Sequence, residues 1–288
     1  MTTNNKIKGI IFILLAALGF SLMTFFVRLS GDLPTMQKAF FRNIVALTVA
    51  TYAIIKSHQG FHIGKGNRLD IFLRSLFGTI GLISNFYAVD RLGIADANML
   101  NKLSPFFAII LSIFILKEVP SAFDIITTII AFIGALFIIR PTGSFTAVFP
   151  ALIGLLGGFG AGTAYAIVRK LTKNGVHTPV IVFVFSLFSC LVTLPYLIID
   201  YTPMTPQQWI YLLLAGISAS LGQFSITTAY KYAPAKEISV FDYTQVIFAA
   251  ILGLIFFGEM PVALSIMGYA VIIGIALIRW RHDLKVND

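Results

Sequence analysis

Two tetrapeptides, Lys117-Glu118-Val119-Pro120 and Gly258-Glu259-Met260-Pro261, stand 141 positions apart, and each follows a long apolar run. Sliding the chain along itself by that offset, without a gap, brings Gly19 onto Gly160 and Val27-Arg28 onto Val168-Arg169. It also brings Gly81 onto Gly222, Ser84 onto Ser225 and Ala88 onto Ala229. Self-similarity at a fixed offset is the mark of a duplicated unit. With 288 residues in the chain, two such units account for nearly all of it: 1–141 and 142–288.

The composition says what kind of unit is repeated. Residues of the AVILMFWYC set make up 58% of the chain and charged residues only 11%, with a mean hydropathy of +0.90. A water-soluble domain carries about 25% charged residues, so this chain has too few to cover a globule in water. A bilayer is the remaining solvent, and a helix crosses it in roughly 20 residues. Apolar runs between polar breaks predict spans at 8–27, 36–55, 70–89, 95–116, 121–139, 149–168, 179–199, 207–230, 237–257 and 262–280. Five spans per unit is an odd number, so the second unit enters the membrane from the opposite face. The predicted fold class is therefore an all-α integral membrane protein of ten transmembrane helices, built as two inverted five-helix repeats.

The formal net charge of +9 follows from topology rather than from nucleic-acid binding. With the N-terminus inside, fifteen of the 21 lysines and arginines fall on inner segments. Only Arg28, Lys38, Arg42, Arg91, Lys102 and Arg140 lie on or near the other side. This bias predicts a cytoplasmic-membrane protein with both termini cytoplasmic. Lys6 and Lys8 before the run 9–27 look like the start of a signal peptide, but a small-x-small cleavage site is lacking, and the run reads as a retained first span. The single cysteine, Cys190, excludes an intrachain disulfide and a cysteine metal cluster.

The arrangement resembles the drug/metabolite transporter superfamily, EamA type. The matching stretches are Ala39–Asn43 in span 2, Leu73–Gly78 and Asn85–Ala88 in span 3, Ser104-Pro105 and Leu116–Glu118 around span 4, and Gly134–Pro141 at the end of the first unit. Ala39–Asn43 and the Arg74 segment are most similar to the bacterial S-adenosylmethionine transporter branch. The resemblance implies a carrier of small metabolites, and it places Arg42 in a family pattern.

Ionisable and polar groups inside spans are costly unless they face a partner or a wet cavity, which makes them the candidate site. At the 141 offset, Asn101-Lys102-Leu103-Ser104-Pro105 superimposes on Asp242-Tyr243-Thr244-Gln245-Val246. Both are polar islands about two turns into apolar helices, entered from opposite faces, so together they bracket the midplane. Pro105 cannot donate a backbone hydrogen bond, which frees the carbonyl of Asn101. Asp242 can bind a proton or a cationic substrate group, or simply neutralise Lys102. Asn101, Tyr243 and Gln245 can orient a polar head group or act as interhelical glue. Arg42 faces an anionic group on the substrate or at a gate, while Arg74 has the alternative of pairing with Asp70 at i,i+4. Asn85, Tyr87, Tyr165, Gln223 and Tyr230 complete the candidate lining, the aromatic ones by stacking on a planar ligand or by plain packing.

Glu118 and Glu259 recur but each precedes a proline that can open a helix. Their expected role is structural, facing the positive end of the following helix. Gly154, Gly158 and Gly162 form a small-residue stripe rather than a phosphate loop, because no Lys-Ser/Thr follows. The four histidines, His58, His62, His177 and His282, fall in predicted loops or the tail, and no His-Glu-x-x-His or Walker motif is present. No enzymatic activity, metal or cofactor is expected. A selectivity-filter loop is likewise missing from the sequence, which weighs against a channel.

The expected function is secondary active transport of a small organic metabolite (amino-acid-like, nucleoside-like or S-adenosylmethionine-like) by alternating access around a central cavity. Export of hydrophobic or cationic toxic compounds is the alternative, and a channel or scaffold the different class. The expected partners are a small-molecule substrate, the lipid bilayer, a proton or an exchanged metabolite, and in a homodimer a second copy of the chain. Nucleic acid is not among them.

Overall fold

The computed structural model describes residues 3–57, 60–104, 106–107, 110–111, 121–139, 145–232 and 239–286. They form ten α-helices: α1 (Thr3–Leu29), α2 (Thr35–Ser57), α3 (Arg68–Leu92), α4 (Ile94–Asn101), α5 (Ala122–Ile139), α6 (Phe145–Lys173), α7 (Thr178–Ile199), α8 (Pro206–Tyr232), α9 (Thr244–Phe257) and α10 (Ala263–Val286). No strand occurs among the described residues. Seven of these helices contain a stretch long and apolar enough to span a bilayer, and α5 and α9 are shorter apolar helices. Lys117–Pro120, Pro105, Arg140, Pro141 and His58 lie outside the described residues.

The fourth and ninth predicted spans are not continuous α-helices. Helix α4 ends at Asn101, and Lys102 and Leu103 form a turn. Before α9 the chain winds through a 3₁₀ turn, Ser239–Tyr243. Both breaks fall on the repeat-related polar islands. Clustered polar side chains compete for local backbone groups, and the break leaves irregular backbone inside the protein, where non-helical segments are tolerated at membrane depth.

The outer surface is apolar, with Ile198, Ile199, Ile255 and Phe256 all more than half exposed, whereas the interior combines large apolar residues such as Phe86 and Leu100 with small and polar ones such as Ala16, Ala39, Ser21, Ser75 and Ser186. Apolar lipid tails give large side chains no reason to turn inward, so helices associate through close packing of small residues.

The packing maps onto itself when the two halves are exchanged. Under the repeat, α1 through α5 correspond to α6 through α10. Helix α1 packs on α8 and α6 on α3; α1 packs on α9 and α6 on α4; α2 meets α8 and α7 meets α3. Helices α2 and α7, α4 and α9, and α5 and α10 pack on their own counterparts. All of these contacts cross between the halves.

Glycines set the distance of closest approach at two of these crossings. A Cβ on Gly19 would stand 2.8 Å from the backbone nitrogen of Gly222, and one on Gly160 would stand 2.8 Å from that of Gly81. Gly19 and Gly160 are repeat mates, as are Gly222 and Gly81, so one backbone-to-backbone contact is built twice. The predicted stripe on α6 takes part: a Cβ on Gly158 would meet the Leu100 carbonyl of α4 at 2.7 Å.

Valine at Gly81 or Gly222 is expected to lower stability by about 1–3 kcal/mol, the usual cost of overpacking. Gly274, with nothing within 4 Å of an added Cβ, provides the control. Gly274→Ala is expected to leave the melting temperature of detergent-purified protein unchanged or slightly raised, and Gly81→Val to depress it by several degrees.

Candidate functional site

Between the halves lies a cavity of about 100 Å³ to which α1, α2, α3, α4, α6, α7, α8 and the segment around the 3₁₀ turn all contribute. Of the residues singled out in the sequence, Asp242, Lys102, Asn101, Gln245, Arg42, Asn85, Tyr165 and Gln223 line it. Arg74, Asn98, Ser104, Phe20, Met23 and Phe185 line it too.

The two helix breaks meet at an ion pair. Lys102 Nζ donates to Asp242 Oδ2, joining the first repeat to the second. Tyr243 donates from its hydroxyl to the Lys102 carbonyl at 3.2 Å, so a side chain satisfies backbone exposed by the turn at its own repeat mate. The other carboxylate oxygen, Asp242 Oδ1, is buried without a hydrogen-bond partner.

Beside this pair, a chain of uncharged groups ties α1 to α4 and α9. Ser21 donates to the Gln245 carbonyl at 2.8 Å, the Gln245 amide donates to Asn98 Oδ1 at 3.0 Å, and the Asn98 amide donates to Thr24 Oγ1 at 3.0 Å. Asn98 is the residue that sequence reading missed. It sits in the predicted span one turn before the polar island, and its repeat position is a serine, so the offset comparison gave no signal there.

Arg42 and Arg74 are 2% and 6% exposed. Arg42 donates from Nη1 to Asn43 Oδ1 at 2.6 Å, and Asn43 is itself fixed by donating to the Ala39 carbonyl and to Ser189 Oγ, both at 2.8 Å. The Arg42 Nε stays without a partner. Arg74 lays its guanidinium over the Phe185 ring, 4.0 Å from the centroid, and both its Nε and Nη1 are buried and unpartnered. The i,i+4 pairing of Arg74 with Asp70 does not form: Asp70 instead accepts from Lys170 of α6 at 3.0 Å. Tertiary packing of α3 on α6 brings Lys170 to Asp70 and leaves Arg74, one turn deeper, pointing at the cavity.

Three further candidates take other places. Tyr243 is buried in a core cluster with Leu103 and Phe106. Tyr87 packs edge-on to Phe149 under the Arg91 guanidinium and does not line the cavity. The side chain of Tyr230 is outside the described residues. Cys190 is buried on α7, with its thiol 3.9 Å from the Phe40 carbonyl.

Polar side-chain pairs close both ends of the cavity, across the repeats for all but Lys38–Asp90, which joins α2 to α3 within the first repeat. At one end, where α1 and α3 finish, Lys38 Nζ, fully buried, pairs with Asp90 at 2.7 Å, and Arg28 pairs with Glu259 at 3.2 Å while also donating to the Asp90 carbonyl. Glu259 accepts from the Ile94 backbone N–H at 3.0 Å. It therefore faces the positive end of α4 in the other repeat, not of the helix that follows it, because Gly93 at φ +93° turns the chain tightly enough to present that N–H. A Cβ on Gly93 would lie 2.7 Å from the Glu259 carboxylate. At the opposite end, Lys170–Asp70 is joined by Asn174 donating to Asn67 at 2.8 Å.

Membrane-spanning helices in two repeats around a polar, charge-lined cavity define a membrane transport protein. The profile of the EamA-like transporter family matches residues 7–140 and, a second time, 148–280. The pseudopaline exporter of Pseudomonas aeruginosa is 31% identical over 269 residues, covering 92% of this chain and 93% of its own. Solute carrier family 35 member G1 of Homo sapiens is 26% identical over 96% of this chain and 81% of its own, and the riboflavin transporter of Brucella anthropi 27% identical over 87% and 89%. A solved crystal structure, 14% identical, shares the fold over 95% of this chain and 99% of its own with a TM-score of 0.64. The chain belongs to the EamA-like transporter family, and it is a multi-pass membrane protein.

Removing one partner of the Lys38–Asp90 pair strands a buried charge. Asp90→Asn is expected to destabilise the protein by about 3 kcal/mol, whereas the Lys38→Met/Asp90→Leu double variant regains most of that loss. Melting curves of the two variants and the parent in one detergent check the cycle.

Proposed function

We propose that this protein is a secondary active transporter of a small organic metabolite, working by alternating access around the cavity between its repeats, 1–141 and 142–288. The observation that carries the reading is the position of the Lys102–Asp242 pair: it joins one repeat to the other at two helix breaks inside a cavity lined by both. Broken helices at the interface of inverted repeats are where secondary transporters hold their substrates. Rocking one half against the other requires the polar tie at one end, Arg28–Glu259, to open while those at the other, Lys170–Asp70 and Asn174–Asn67, stay closed, and then the reverse.

No nucleotide-binding motif occurs in the sequence, so the driving force is a gradient of the solute, of an exchanged metabolite or of protons. Amino-acid-like, nucleoside-like and S-adenosylmethionine-like solutes are the candidate classes. The distribution of Lys and Arg supports the cytoplasmic membrane with both termini inside, and the similarity to an exporter makes export the direction to test first. Three cations against one carboxylate around the cavity argue against cationic toxic compounds as the cargo.

Asp242 is the coupling candidate; the charged or titratable groups facing it are Lys102, Tyr165 and Tyr243. In proteoliposomes, Asp242→Asn is expected to abolish transport driven by a pH gradient, or to flatten its pH dependence, with folded protein still in the membrane. Unchanged transport and unchanged pH response would remove Asp242 from the mechanism.

A further inference from the structure

Arg42 and Arg74 are the unexplained charges of the cavity. Among the described residues no carboxylate stands within ion-pair distance of either, and the one carboxylate lining the cavity, Asp242, is already engaged by Lys102. The cavity therefore holds an excess of two positive charges.

A buried ion without a partner is severely penalised, and arginine does not escape by losing its proton. Each guanidinium is also pre-set to receive something. Asn43 holds Arg42 by Nη1 and leaves Nε open. Phe185 holds Arg74 by its flat face and leaves Nε and Nη1, donors on separate edges of the guanidinium, open to oxyanion acceptors. The two arginines enter from opposite ends: Arg42 lies seven residues into α2 and Arg74 six residues into α3, each ~10 Å by helical rise from the start of its helix. A ligand touching both has its anionic groups apart. Asp242 Oδ1, buried and lacking a donor, offers one acceptor in the same cavity.

We propose, building on the transporter reading, that the solute is a small organic dianion whose two oxyanion groups, carboxylate or phosphate, bind Arg42 and Arg74, and which carries a hydroxyl or amine donor for Asp242. Until the solute arrives, the two guanidiniums repel one another. Its binding cancels the excess charge, so the loaded cavity closes at less electrostatic cost than the empty one.

The test uses purified full-length protein in detergent and in liposomes. Succinate and malate probe the dicarboxylate arm, and phosphoenolpyruvate and 3-phosphoglycerate the phosphate arm. Acetate, uridine, tetraphenylphosphonium, S-adenosylmethionine and chloride alone are the comparators. At least one dianion is expected to raise the melting temperature and to exchange across the liposome membrane, and the arm that responds names the group. Arg42→Gln and Arg74→Gln are each expected to reduce that exchange about ten- to hundredfold, the worth of a hydrogen bond to a charged group, and Arg74→Lys to restore part of it. Because the substitution removes an unpaired buried charge, ligand-free Arg74→Gln protein is expected to melt no lower than the parent; a variant that had simply lost its fold would melt lower.

The proposal is overturned if the solutes that bind and move are neutral, cationic or singly charged, if chloride alone gives the full stabilisation, or if dianion exchange survives both glutamine substitutions. Movement of such other solutes would leave the transporter reading intact. A folded protein that binds dianions with these arginines and exchanges nothing would retain the site and remove the transporter.

Discussion

Everything in this molecule is positioned by a backbone contact made twice. At the α1–α8 crossing and again at the α3–α6 crossing, a glycine of one repeat lies against a glycine of the other closely enough to leave no room for a Cβ. In lipid, where apolar surface gains little by turning inward, such close approach is the main source of helix–helix attraction. The contact brings the repeats together at two symmetric points on either side of the cavity. The cavity between them is lined by polar and charged side chains and by the two helix breaks.

Charge organisation follows from that geometry. The ends of the helix bundle carry ion pairs whose partners come from different helices, and where those pairs cross between repeats they can act as alternating closures. In the middle, the breaks after Asn101 and before Thr244 put Lys102 and Asp242 face to face, while α2 and α3 deliver Arg42 and Arg74 to the same space. A fully satisfied polar network would rigidify such a centre. Here Asp242 Oδ1, Arg42 Nε and Arg74 Nε and Nη1, all buried without a partner, leave it incomplete, and an incomplete buried network is a place where a ligand gains more than water can offer.

The repeat, the helical membrane class and part of the cavity lining were legible in the sequence because a duplicated unit repeats its constraints: Gly19 and Gly160, Gly81 and Gly222, and the islands at 101 and 242 all keep step at one offset. What was not legible depended on which helix packs against which. Arg74 lost Asp70 to a lysine one hundred residues away, Glu259 reached a helix in the other repeat, and Asn98 became a hub through α1 and Gln245. The turn at Lys102-Leu103 and the 3₁₀ turn Ser239–Tyr243 were not legible either, since hydropathy averages over short breaks that the polar side chains and local backbone decide.

The central claim is that the two repeats open and close in turn at opposite ends. The most direct measurement replaces Cys190 by serine, places cysteines at Arg28 and Glu259, and joins them with a short cleavable bifunctional reagent in proteoliposomes containing the transported solute. If the ends alternate, the cross-link arrests exchange and cleavage of the linker restores it, while either single cysteine treated in the same way transports as before. Exchange at an undiminished rate with that end covalently tied would contradict alternating access in this protein.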